Sequence, residues 1–218
     1  MTIDRSAAGF LFDMDGTLVD SSAVVEAAWG RFGAEHGFDP ETILAFSHGR
    51  QTIDTVTHLM PERPYAERVA LAQALVADEV DRTDGIAEIA GAAVLLEALL
   101  AAGARVALVT SAPRDLAINR MRAAGVPVPD VVVTAEDVEH GKPAPDCYLR
   151  GAELLGVAPS DCIAFEDADA GLASALASGA HVVVVGQHAS AVTEGLDRLV
   201  DYRRVTVVRD GDRVRLRG

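Results

Sequence analysis

Residues 10–20 read FLFDMDGTLVD, and the order of residue types in that stretch decides the fold. The apolar run Phe10-Leu11-Phe12 stops at Asp13, as a buried parallel strand does when it ends at a polar edge. Asp15 follows two positions later. Gly16 then supplies the backbone freedom a tight reversal needs, so both carboxylates are brought to one opening. At an effective dielectric of about 20, like charges about 4 Å apart repel by about 4 kcal/mol, so such a pair requires a cation, a shared proton or a catalytic reason to exist.

Beyond Asp20 the texture changes. Up to about residue 84 no strand-like run occurs and helical spacing takes over: Ser21 or Ser22 caps a helix with Val25, Ala28, Trp29 and Phe32 on its apolar face, ended by Gly37. Further helices are expected over residues 40–46, 52–60 and 65–80, separated by His48-Gly49 and by the prolines at 61 and 64. From Gly85 the elements alternate. Helices are expected over 92–102, 114–124, 146–155 and 168–178, and strands over 105–110, 131–134, 162–166 and 181–185. Repeated βα units imply an α/β fold, a parallel sheet covered by helices on both faces, with a small helical unit inserted early. No internal repeat or low-complexity tract interrupts it.

Composition narrows the function. The chain has 218 residues, half of them hydrophobic, enough for one sizeable core and a smaller appended unit. A formal charge of −14 argues against a nucleic-acid backbone as partner, because that polymer is bound through clustered cations. The first apolar run is too short and too soon interrupted for a signal peptide, and no later run reaches the length of a membrane span, so no membrane partner and a cytoplasmic location are expected. Cys147 and Cys162 lack paired-ligand spacing and read as reduced packing residues. One basic cluster stands out: residues 203–217 hold six arginines, with alternation on both sides of Asp210-Gly211 that predicts a two-stranded hairpin. It reads as a solvated face, the alternative being a partner-binding patch.

Polar residues then fall at strand ends. Asp13, Thr110-Ser111 and Glu166-Asp167 each follow a strand, and open α/β sheets bind ligands along that edge. Of the nineteen basic side chains only Lys142 is a lysine, in the loop HGKPAP. A lysine is a compact, mobile point charge suited to phosphate, and Pro143 and Pro145 stiffen the backbone around it. His36, His58, His140, His181 and His188 show no metal-binding spacing, and Trp29 reads as a core residue of the helical unit.

Four ordered segments, FDMDGTLVD, VTS at 109–111, GKPAPD around Lys142 and FEDADAG at 165–171, resemble the motifs of the haloacid dehalogenase superfamily. The resemblance implies a Rossmann-like core, residues 1–18 and 85–218, with an all-helical cap, residues 19–84. The cap segment SHGRQT at 47–52 resembles that of phosphatases acting on sugar, 2-deoxyglucose or glycerol phosphates. In that family Asp13 is the nucleophile, becoming an aspartyl-phosphate, and Asp15 is the acid and then the base. The resemblance further implies Mg²⁺ held by Asp13, the Asp15 carbonyl and Asp167, with Glu166 acting through water. Ser111, Lys142, the amides after Asp13 and the backbone of Thr110 would meet the phosphoryl oxygens. Four carboxylates leave no room for a phosphate dianion unless Mg²⁺ and Lys142 offset them, so a chelator is expected to abolish activity.

Departures from the pattern sort the relatives. The dehalogenase branch lacks a second aspartate, and the phosphonate-cleaving branch needs a cap lysine that is absent here. β-Phosphoglucomutase-like enzymes carry a small apolar residue in place of Thr17 and a histidine in place of Val25. Asp169, unusual for the family, reads as a charge that stabilises a helix N-terminus. His48 and Arg50, in the loop over the mouth, are taken as substrate contacts, the alternative being ordinary exposed loop residues. The expectation is a monomeric or weakly dimeric phosphatase of small sugar or polyol phosphates. A mutase, or a regulator that binds phosphate-bearing partners through the arginine-rich hairpin, is the alternative.

Overall fold

Phe10, Leu11 and Phe12 are fully enclosed because the strand they form has neighbours on both sides. The computed structural model describes residues 3–218. Along the chain lie β1 (Asp4–Ala7), β2 (Gly9–Phe12) and β3 (Val19–Asp20), then α1 (Ser22–His36), α2 (Pro40–Ser47), α3 (Thr52–Leu59) and α4 (Tyr65–Val80). β4 (Ala87–Glu88), α5 (Ala92–Ala101), β5 (Arg105–Val109), α6 (Arg114–Ala123), β6 (Val131–Val133) and α7 (Asp146–Leu155) follow. The chain continues with β7 (Cys162–Glu166), α8 (Asp169–Ser178), β8 (His181–Val185), β9 (Asp197–Leu199), β10 (Thr206–Asp210) and β11 (Arg213–Arg217).

Six strands pair in the order β6-β5-β2-β7-β8-β9, every pair parallel. Period-two alternation sends Phe10, Phe12, Leu108 and Phe165 to one face, under α5 and α6, and Leu11, Ala107, Val109 and Ala164 to the other, under α7 and α8. Phe12 and Phe165, in register on adjacent strands, stack with ring centroids 4.3 Å apart, and the buried Tyr202 closes edge-on over both. Truncating either phenylalanine to alanine would cost about 3–5 kcal/mol.

The helices α1–α4 share a separate apolar cluster built on Trp29, Phe32, Ile43, Val56 and Leu75. The chain leaves and re-enters the core through the short β3–β4 pair. Gly37 ends α1 in the left-handed conformation, as its position predicts. Ser21 occupies the N-cap position of α1 without capping it, since its hydroxyl donates to Asp15 at 2.6 Å.

The C-terminal hairpin forms where its alternation predicts, with Val214 and Leu216 buried. Unanticipated is its partner: β1 pairs with β11, giving a three-stranded antiparallel sheet. Its arginines are largely spoken for, Arg213 by Asp161, Arg215 by Asp4 and Asp210, and Arg217 by Asp4. The short strand β9 was also not legible, because DRL carries no alternation. Cys147 and Cys162 are buried free thiols. Among the described residues no helix is long and apolar enough to cross a membrane.

Candidate active site

Asp13, Thr110-Ser111 and Glu166-Asp167 leave three adjacent strands, β2, β5 and β7, at the same edge of the sheet. Above that edge lies a cavity of about 140 Å³, bordered by Asp13, Asp15, Thr110, Ser111 and Asp167 from the core and by His48 and Arg50 from the cap. Lys142 and Glu166 lie beneath it, fully enclosed.

The reversal after Asp13 is held by its own backbone: the amides of Leu18 and Val19 both donate to the Met14 carbonyl, and the Gly16 amide donates to Val19. Gly16 has φ +80°, and a Cβ there would lie 2.0 Å from Asp167 Oδ2, so only glycine fits. The amides of Met14 and Asp15 have no hydrogen-bond partner among the described residues.

Lys142 sits between two acids. Its Nζ donates to Asp13 Oδ1 at 2.5 Å, to Glu166 Oε1 at 2.7 Å and to the Val109 carbonyl at 3.2 Å. Burial pushes the Asp13 carboxyl up to about 7 even though Lys142 opposes the shift, with Glu166 adding to it. Burial alone would lower the Lys142 ammonium, but Asp13 and Glu166 outweigh it and hold its pKa above the ordinary lysine value. Glu166 is satisfied on both oxygens, Oε1 by Lys142 and the Tyr148 hydroxyl and Oε2 by the amides of Asp167 and Ala168. A Cβ on Gly171 would come within 1.5 Å of Glu166 Oε1, so the first turn of α8 must be glycine there to admit the carboxylate.

Asp15 is held differently. Arg120 Nη1 donates to both of its oxygens at 2.9 Å, and the other arm of that guanidinium reaches Glu79 Oε2 at 2.5 Å. Arg120 and Glu79 were not found in the sequence. The signal was there: Arg120 falls in the buried stripe Leu116, Ala117, Arg120, Met121 of α6, and Glu79 in the stripe Ala72, Leu75, Glu79 of α4. An ionisable residue on the core face of a helix needs a partner, and each supplies the other's. Burial pushes Glu79 up to about 7 against the pull of Arg120, with Asp15 adding to the rise.

The remaining expected residues are placed as follows. Ser111 Oγ donates to the Gly49 carbonyl of the cap loop at 2.9 Å, so cap and core touch across the mouth. Thr110 gives its amide to the Val133 carbonyl, and its hydroxyl accepts from the Ala112 amide, which leaves neither its amide nor that interaction free for a ligand. The Arg50 guanidinium lies over Phe46, 4.4 Å from the ring centroid, and His48 is exposed. Asp169 opens α8, but its carboxylate bonds His188 and Ser190 instead of the helix amides. Trp29 is buried in the cap cluster and also borders the cavity.

Carboxylate oxygens of Asp13, Glu166 and Asp167 lie within 4.8 Å of one another. One ammonium among two buried acids and a half-buried third leaves an excess of negative charge, and desolvation with the neighbouring Glu166 and Asp13 raises Asp167 well above the usual carboxylate range. An all-oxygen, anionic donor set of this kind suits a hard divalent cation such as Mg²⁺.

Similarity to known proteins agrees with this geometry. The chain is 49% identical over 177 residues to hexitol phosphatase A of Escherichia coli (strain K12), covering 81% of this chain and 82% of that protein. It is 32% identical to glycerol-1-phosphate phosphohydrolase 2 of Saccharomyces cerevisiae, over 95% of this chain and 84% of the relative. Among solved structures, CbbY of Rhodobacter sphaeroides in complex with phosphate superposes with a TM-score of 0.75 at 25% identity, over 91% of this chain and 96% of the other. A β-phosphoglucomutase of Clostridium difficile shares the fold, with a TM-score of 0.75 at 23% identity over 83% of this chain and 85% of the other. With residues 7–179 matching the family model and the motif carboxylates gathered at one sheet edge, the chain belongs to the haloacid dehalogenase-like hydrolases.

Proposed function

We propose that this protein is a Mg²⁺-dependent phosphatase that hydrolyses monoesters of small sugars and polyols through a phosphorylated Asp13. The observation that carries the reading is the asymmetry of Asp13: Oδ1 is bonded to Lys142, while the side chain borders the cavity with Asp15 beside it. An oxygen of Asp13 attacks phosphorus in line, the ester P–O bond breaks, and Asp15 gives a proton to the departing alkoxide. Asp15 then takes a proton from the water that attacks the aspartyl-phosphate, releasing inorganic phosphate and restoring Asp13. Ser111 and the unpartnered amides of Met14 and Asp15 would bind phosphoryl oxygens, while Lys142, whose three N–H bonds go to Asp13, Glu166 and the Val109 carbonyl, would offset the phosphoryl charge from behind Asp13. Asp13, Asp167 and the Asp15 carbonyl would hold Mg²⁺, with Glu166 engaged through water because both its oxygens already have partners. When bound, the ion supplies positive charge that offsets the phosphoryl group and the surrounding acids.

The 49% identity to a hexitol phosphatase supports water as the acceptor over a second sugar hydroxyl, and polyol or sugar phosphates as the substrates. Phosphate release measured across hexitol, hexose, glycerol and pentose phosphates tests the reading. Activity is expected with Mg²⁺, and is expected to be lost with a chelator and in Asp13→Asn. Undiminished turnover in that variant would refute it.

A further inference from the structure

The chamber above the sheet edge is lined, besides the residues already given roles, by several that no step above uses. Its walls are of two kinds: Val25, Trp29 and Leu116 present carbon, whereas Ser22, Arg120 and Glu79 present polar atoms. Glu79 is the unexpected one. Its side chain is 6% exposed, on the core stripe of α4, and only Oε2 is bonded, to Arg120. Oε1 has no hydrogen-bond partner among the described residues, and Glu79 is one of the residues that line the cavity. A carboxylate oxygen withdrawn from bulk water needs a donor, and here the donor must arrive from outside the protein.

The guanidinium that holds Glu79 also holds Asp15, so the two acids stand one guanidinium's breadth apart. A leaving alcohol whose ester oxygen lies at Asp15 extends its next carbons into this chamber. Polyols and sugars offer C–H surface on one side and O–H groups on the other, which matches a chamber with one carbon wall and one polar corner.

We propose that Glu79 is a specificity-determining residue: its Oε1 accepts a hydrogen bond from a hydroxyl of the leaving alcohol and so selects polyhydroxylated esters over plain alkyl phosphates. The inference rests on the phosphatase reading of the site. A site built to bond a hydroxyl discriminates strongly against the analogue lacking it, because the buried acceptor is then left bare.

The test compares kcat/KM for a hexitol phosphate and for hexyl phosphate, esters of equal carbon count, in Mg²⁺ buffer. The wild type is expected to prefer the hexitol ester. Glu79→Leu should lower that preference by about tenfold or more, chiefly through KM, while Glu79→Gln, which gives its oxygen to Arg120 and turns an amide N–H that a hydroxyl can accept toward the cavity, keeps most of it. Equal losses on the two esters, or an unchanged ratio, would overturn the proposal and leave Glu79 as a brace for Arg120 alone. Should Glu79→Leu fail to fold, Glu79→Asp keeps an anion opposite Arg120 but withdraws the oxygen by one methylene; it must show the same fall, and a wild-type ratio in it overturns the idea. A wild-type protein that releases phosphate from no ester would instead defeat the phosphatase reading, and this proposal with it.

Discussion

Two cations serve this site, each lodged between two carboxylates, and they are built on opposite plans. Lys142 joins Asp13 and Glu166, all three from the parallel-sheet core. Arg120 joins Asp15 of the core to Glu79 of the cap, so its fork spans two layers with separate apolar clusters. In each case burial raises the facing acid, Asp13 and Glu79 both reaching about 7. The difference lies in what each can sense. A cation enclosed in one rigid layer fixes charge and little else, whereas a fork shared between layers keeps its geometry only while cap and core stay in register, and so ties Asp15 to the seating of the cap.

Removing the first cation should have the largest effect. Lys142→Met leaves Asp13, Glu166 and Asp167 opposed without an ammonium, and is expected to lower phosphate release by about 10²–10³-fold. It should also cost about 3–5 kcal/mol in urea unfolding. A variant that kept both activity and stability would break the contrast at its stronger end. Arg120→Lys sharpens the other half: the charge survives but the two-way fork does not, so kcat should fall by about 10–100-fold with a smaller loss of stability. Retention of wild-type kcat would show that charge alone suffices there.

The smallest effect concerns pH. The Glu79 carboxyl ionises at about 7 in the folded chain against an ordinary 4.5, so folding favours its protonated form. That contribution is fully present below about pH 4.5 and is lost as the pH rises through about 7. Wild-type stability relative to Glu79→Gln should therefore fall by about 2–3 kcal/mol between about pH 5 and about pH 8, as read by urea denaturation at each pH. A constant difference would mean that Arg120 holds Glu79 ionised throughout.

The same contrast explains what could be read in advance. Asp13, Lys142 and Asp167 are local events, a charged residue breaking an apolar run or a lone lysine just ahead of two prolines, and adjacent parallel strands bring such ends together. The helices of the cap were legible because their spacing and their Gly and Pro punctuation are local too, and their bounds agree to within a residue or two. Arg120 and Glu79 lie 41 residues apart, and their pairing depends on how α4 settles against α6, which no spacing encodes. Ser21 shows a second limit: its type and place predict a helix cap, but tertiary structure gives its hydroxyl to Asp15. Strand β1 was missed because DRSA is mostly polar, and it becomes a strand only when β11 arrives to pair with it.

A hydroxyl group has one proton to give. In the resting arrangement Ser111 spends its proton on the Gly49 carbonyl, and in the proposed reaction it spends it on a phosphoryl oxygen. Anion and cap loop are thus rivals for a single donor: an incoming ester must take Ser111 from the loop, and departing phosphate hands it back. Loading and unloading of the enzyme are thereby written into one shared hydrogen atom at the rim.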